Sequence, residues 1–233
     1  FPVEQTTSSG RKKAASSRRT PYPIHFAWSC ESALEINART MFVTRNNVHV
    51  PDGLPDSGLA AKDLRLNITE QAHLLGWLIG YDQLTLNILG TTGAANLYDA
   101  PVGLNSFRMD IGSRLETRNA SSRAVINTSA GVEIAGMVEV QGVSAVFDGN
   151  AGTYFDLVES GIISARDTNS LADISAGDVV RIRPGSAVLA GARFDYIGDT
   201  PVPVKTAEGA DVVITSPHEL YIGGTVTSAD GML

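Results

Sequence analysis

The chain has 233 residues, 43% hydrophobic and 18% charged, with a formal net charge of −7 at pH 7; that is enough apolar material for a real core and excludes a charge-rich disordered tail as the whole molecule. Residues 1–20 hold five basic side chains against one acid, Glu4, so the other 213 residues carry 13 basic and 24 acidic groups, a net of −11. Such an acidic body excludes a nucleic-acid binder built on clustered Lys and Arg, and the single cysteine, Cys30, excludes an intrachain disulfide framework.

Residues 1–23, FPVEQTTSSGRKKAASSRRTPYP, are polar and basic and show no hydrophobic period. They read as a flexible leader or linker, or as a basic arm (Arg11, Lys12, Lys13, Arg18, Arg19) that docks on an acidic neighbour or anionic lipid. The chain starts with Phe and carries no apolar signal segment, which suggests a removed leader or a piece of a longer polypeptide. SCESALEINART, 29–40, is the best helix candidate. Residues 1–39 are therefore read as an irregular, partly extended N-terminal segment, flexible or partner-docking, and 40–233 as the body.

From about residue 40 the pattern is period-2 alternation in short pieces broken by Gly, Asn, Asp and Pro: Leu64, Leu66, Ile68; Leu84, Leu86, Ile88; Val132, Ile134; Val180, Ile182. That is strand signal. The longest apolar run, LLGWLIGY at 74–81, is far short of the ~20 residues a transmembrane span needs.

The body repeats. YFD at 154–156 recurs as RFD at 193–195, with FRMD ending at Asp110 as an earlier copy. Downstream of each stands an isoleucine (Ile126, Ile174, Ile214) with apolar residues at +6 and +8 and a glycine soon after (Gly136, Gly185, Gly224); a weaker copy begins at Ile68. Intervals of 46 and 39 residues between the aspartates place the chain among repeat architectures. Trp28 and Trp77 at unrelated repeat positions argue against a propeller, and an immunoglobulin-like sandwich does not repeat at this spacing. The expected fold is all-β, a right-handed parallel β-helix (β-solenoid) with two coils of ~20 residues per repeat and roughly nine or ten coils. Ile126, Ile174 and Ile214 should form one internal stack and Ile134, Ile182 and Ile222 another, with the glycines at corners.

INTSAGVEIAGMVEV, ISAGDVVRIRPGSAV and ITSPHELYIGGTVTS, supported by DLRLNITEQAHLLGWLIG, resemble the repetitive β-helical regions of large bacterial surface and secreted proteins, the filamentous-haemagglutinin-like adhesins and related giant exoproteins. The resemblance spans roughly residues 60–233 and implies an extracellular or cell-surface rod used for adhesion, spacing or assembly. The secretion region such proteins carry at their start is missing, as are the G-G-x-G-x-D repeats of calcium-binding solenoids.

Asp110, Asp156 and Asp195 are the most tempting site, because carboxylates on successive coils can form acid/base or Ca²⁺ clusters. Two coils apart they would lie ~10 Å from each other, too far to share a metal, so they read as turn residues accepting backbone N–H bonds. His25, His49, His73 and His218 lack zinc spacing, His73 and His218 falling at near-equivalent turn positions. Neither G-x-S-x-G nor a phosphate-cradling glycine loop occurs. Asn67, Asn119 and Asn127 match the glycosylation acceptor pattern, and Cys30 reads as a small buried residue or an intermolecular or lipid link.

No catalytic, cofactor-binding or metal residue is assigned. The expected function is a non-enzymatic structural or adhesive module of a bacterial cell-surface or extracellular assembly. Its partners would be protein subunits, self or neighbouring, at the solenoid ends, with a carbohydrate or cell surface as a further one. The last copy stops mid-repeat, leaving a strand row for more chain or another subunit to cover. Two alternatives are a β-helical carbohydrate-active lyase or hydrolase, for which the aromatics Tyr81, Tyr154, Tyr196 and Tyr221 are scattered, and a viral or phage fibre part with residues 1–40 as its docking segment.

Overall fold

The computed structural model describes residues 27–43, 58–89, 106–197, 200–205 and 209–228. All regular structure among them is strand. The strands are β1 (Ala27–Val43), β2 (Gly58–Leu74), β3 (Trp77–Ile88), β4 (Ser106–Met109), β5 (Arg114–Thr117), β6 (Arg123–Thr128), β7 (Val132–Ile134), β8 (Met137–Val140), β9 (Val146–Ala151) and β10 (Tyr154–Leu157). They continue as β11 (Ile162–Ala165), β12 (Leu171–Ala176), β13 (Val179–Ile182), β14 (Ala187–Ala190), β15 (Ala192–Ile197), β16 (Thr200–Lys205), β17 (Asp211–Thr215), β18 (Glu219–Ile222) and β19 (Thr225–Ser228). The stretch 29–40, the helix candidate, lies inside β1: Leu34, Ile36 and Ala38 point to the core at period two, and pairing with β2 overrides the helical propensity of Ala, Leu and Glu.

Seventeen of the strands join one sheet, and its ladders are parallel. Three ladders run its length, and the chain visits them in turn. The first holds the starts of β1, β2 and β3, then β5, β8, β11, β14 and β19. The second holds the middles of β1 and β2, the end of β3, then β6, β9, β12 and β17. The third holds the ends of β1 and β2, then β4, β7, β10, β13 and β18. This is a solenoid-like winding. Arg114, Met137, Ile162 and Ala187 are successive partners, so an uninterrupted coil takes 23 or 25 residues rather than ~20.

The isoleucine stacks form, each with an extra member. The second ladder reads Ile36, Leu66, Leu86, Ile126, Gly149, Ile174, Ile214. The third reads Val43, Leu74, Met109, Ile134, Leu157, Ile182, Ile222. Nearly all inner members from Leu66 to Ile182 are fully buried, each worth about 1.5–3 kcal/mol relative to exposure. Gly149 is the exception in size, and its space is taken by aromatic rings. A Cβ there would lie 2.7 Å from Phe155 Cε2 and 2.9 Å from Phe147 Cε1, and Phe147 stacks between two small residues, Ala124 and Ala172. Large beside small keeps the column at interior density.

The corner glycines have two different causes. Gly136 and Gly224 stack near Ser113 and Ser186, where a Cβ would fall within 2.6 Å of serine atoms. They are glycine because neighbouring coils approach too closely for a side chain. Gly185, one place earlier in its corner, has φ +81° and needs the left-handed conformation.

The third repeat copy does not take the place expected of it. β15, carrying RFD at 193–195, leaves the stack and pairs antiparallel with β16 as a two-stranded hairpin. The 39-residue interval therefore runs from the stack into the insertion, while 46 spans two coils offset by two places.

Candidate functional site

The outer face of the third ladder carries most of the structure's candidate chemistry. Outward positions alternate with the buried Phe107, Val132, Phe155 and Val180, so their register sets a row: Phe42, His73, Arg108, Glu133, Asp156, Arg181, Tyr221. Beside it, where the third ladder turns toward the first, a cavity of 530 Å³ is lined by Leu75, Arg108, Asp110, Ile111, Glu133, Ala135, Val158 and Glu159.

Arg108 Nε donates to Asp110 Oδ1 at 2.8 Å and lies 3.6 Å from Glu133. His73 Nε2 meets the other Asp110 oxygen at 2.9 Å, and its ring stands edge-on to Phe42 at 5.0 Å. Burial pushes the Asp110 carboxyl up, but the bonds from Arg108 and His73 outweigh it and hold the group below the usual carboxylate range. Asp110 is thus kept ionised, the opposite of what a general acid needs.

The three candidate aspartates are not equivalent. Arg108, not Asp110, is in register with Asp156 through Glu133; Asp110 sits two places later at the corner. Asp156 is buried and receives both Nε (2.7 Å) and Nη2 of Arg183, in a bidentate grip. Asp195 lies in the hairpin. Both Asp110 and Asp156 accept from charged side chains, where backbone N–H donors were expected. His73 and His218 also separate: His73 is inside β2, whereas His218 precedes β18 and bonds Asp178 through its backbone. His25, His49 and the basic segment 1–23 lie outside the described residues, as does the side chain of Cys30.

A second charged cluster lies outside the first ladder. Arg118 and Arg166 reach Glu116 and Glu139 at 2.7 and 2.6 Å, and Arg114 also grips Glu139. Arg114 Nε stands 3.0 Å from Glu116 Oε2 in an ion contact whose alignment leaves both atoms without a hydrogen bond. Arg114 and Arg118 lie over the Trp77 and Tyr81 rings at 5.1 and 5.9 Å. Three cations enclosing two buried carboxylates make a fixed structural network.

On the second ladder Asp173 stacks on Asp148, which Arg123 holds at 2.7 Å. Burial, then the neighbouring Asp148 charge, raises Asp173. The carboxyl pushed up, Asp173, and the one held down, Asp110, therefore lie on different ladders, so no acid/base pair is assembled between them.

Sequence reading missed an amide ladder on the second face. Asn37, Asn67, Asn87, Asn127 and Asn150 are successive partners, continued by Ser175 and Thr215. Asn67, Asn87 and Asn127 each donate to the preceding asparagine at 2.8, 2.9 and 3.1 Å. Two of the glycosylation acceptors, Asn67 and Asn127, spend their side-chain amides here; Asn119 lies at an exposed corner and bonds Asp82. The signal was present as asparagine immediately after each stacked residue: Leu66, Leu86 and Ile126.

Among the described residues no group of three or more His, Cys, Asp or Glu could hold a metal, and no helix is long and apolar enough to cross a membrane. No family model matches the chain, and no curated protein or solved structure is significantly similar to it.

Proposed function

We propose that the chain is a non-enzymatic structural or adhesive module of a bacterial cell-surface or extracellular assembly: a right-handed β-helical rod whose ends meet further protein subunits and whose faces present a surface to cells or carbohydrate. The observation that carries this reading is that the outer faces are knitted rung to rung. The asparagine row, the Arg183–Asp156 grip and the Arg–Glu network join coil to coil, so polar groups are spent on axial cohesion. The right-handed sense follows from the near-universal handedness of parallel β crossovers. The resemblance to filamentous-haemagglutinin-like repeats adds the surface location.

Leu220 and Ile222 occupy core positions in the Asp211–Ser228 coil yet are 50% and 51% exposed, an apolar surface that a further coil or another subunit would cover. One specific observation favours a second reading, a carbohydrate-active enzyme: Asp110, Glu133 and Glu159 share the 530 Å³ cavity. A panel of cell-surface polysaccharides separates the two. Retention on immobilised glycan or cells without release of new reducing ends is expected. Cleavage that disappears in Glu133→Gln or Glu159→Gln would replace the rod reading with the enzymatic one.

A further inference from the structure

The hairpin has one sealed edge and one open edge. Ile197 and Thr200 are partners across a loop of two residues, so they form a doubly bonded pair, and bonded and non-bonded pairs alternate from there. Asp195–Val202 and Arg193–Val204 are then bonded pairs; Tyr196–Pro201, Phe194–Pro203 and Ala192–Lys205 are not. Both prolines thus fall where no N–H is needed toward β15, and the missing donors belong to the far edge of β16. That edge cannot accept another strand. The far edge of β15 is different: it presents the backbone N–H and C=O of Ala192, Phe194 and Tyr196, and among the described residues no strand pairs with it.

We propose that this edge pairs with β15 of a second copy, antiparallel about a two-fold axis at Phe194, giving a closed dimer through a four-stranded β16–β15–β15–β16 sheet. The residue types select the register. Antiparallel self-pairing of this edge has three nearby centres. A centre at Arg193 sets arginine opposite arginine, and one at Asp195 sets aspartate opposite aspartate. A centre at Phe194 sets Arg193 opposite Asp195 twice, and directly opposed like charges disfavour the other two. The contact is isologous and so closes at two copies, unlike the head-to-tail contact available to the coil ends. It involves only the insertion and leaves every coil of the rod intact.

Sedimentation equilibrium and light scattering on this chain test it. The expected result is a concentration-dependent monomer–dimer equilibrium that stops at two. Arg193→Asp sets acid against acid and should raise the dissociation constant at least about tenfold. The swap R193D/D195R rebuilds two opposite-charge pairs and should restore it to within about threefold. Phe194→Pro, at a position that spends no N–H on β16, should abolish the dimer with the circular dichroism melt unchanged. A monomer at every concentration overturns the proposal. So does a dimer indifferent to Arg193→Asp, or a natively folded swap that stays monomeric. Open-ended oligomers that respond to Ile222→Glu but not to Arg193→Asp would place association at the coil ends and overturn it too.

Discussion

The coils between Ser106 and Ala190 and the last one, Asp211–Ser228, share a register but not an environment. Val180 and Ile182 are fully buried, while their partners one coil on, Leu220 and Ile222, are about half exposed. Nothing in the side chains accounts for this, since Leu and Ile are as apolar as Val and Ile. Burial here is a property of having a neighbour on both sides. A coil of three short strands cannot enclose its own core, and the free energy of the fold resides largely in the interfaces between coils, as in other quasi-one-dimensional proteins.

The sharpest way to break that comparison is a paired truncation. Phe155→Ala should cost about 3–5 kcal/mol, since the ring fills the column beside Gly149. Leu220→Ala, in the same ladder position two coils on, should cost under about 1 kcal/mol. Urea unfolding measures both, and equal losses would mean that the last coil is covered as the middle ones are. Polar ladders should show the same gradient. Asn87→Ala removes a donor to Asn67 and an acceptor for Asn127 and should cost about 1–3 kcal/mol. Thr215→Ala, at the end of that row, should stay within about 0.5 kcal/mol.

The smallest effect is electrostatic. The folded-state pKa of Asp110 is lowered by Arg108 and His73 against the pull of burial. Its contribution to stability is therefore fully present above the unfolded-chain value of about 3.9 and is lost as pH falls through the folded value. Arg108→Gln should cost a few tenths to about 1 kcal/mol at pH 7, given the partial exposure of the pair, and that difference should fade in acid titration. Asp173 has the opposite sign: its raised value favours the fold below the unfolded pKa and loses that advantage as pH rises through the folded one.

The axial stacks were legible because isoleucine recurs with fixed +6 and +8 companions, and these are two inward positions of the next strand. One coil went unseen because it opens on Gly149, whose volume is supplied by rings from other positions. The copy anchored at Ile68 looked degraded because the true anchor is Leu66, with Ala72, Leu74 and Gly76 at the proper offsets. RFD misled in the other direction, matching YFD in letters while its flanking Gly198-Asp199 and alternate prolines specify a hairpin. The charged face was the least legible. Which Arg meets which Asp depends on a two-place offset at a corner, and local spacing does not encode it.

Ile88 and Ser106 are 18 positions apart, and Ala190 and Asp211 are 21, yet each pair flanks a single corner that elsewhere needs only a few residues. Chain length is thus decoupled from axial rise: a spliced cassette leaves the ~4.8 Å step between coils alone, and doubling its length costs only about 0.6 kcal/mol in closure entropy. The spacing of the coils and the length of chain between them can therefore change independently, so extra residues between Ile88 and Ser106 or between Ala190 and Asp211 should leave the stack unaltered.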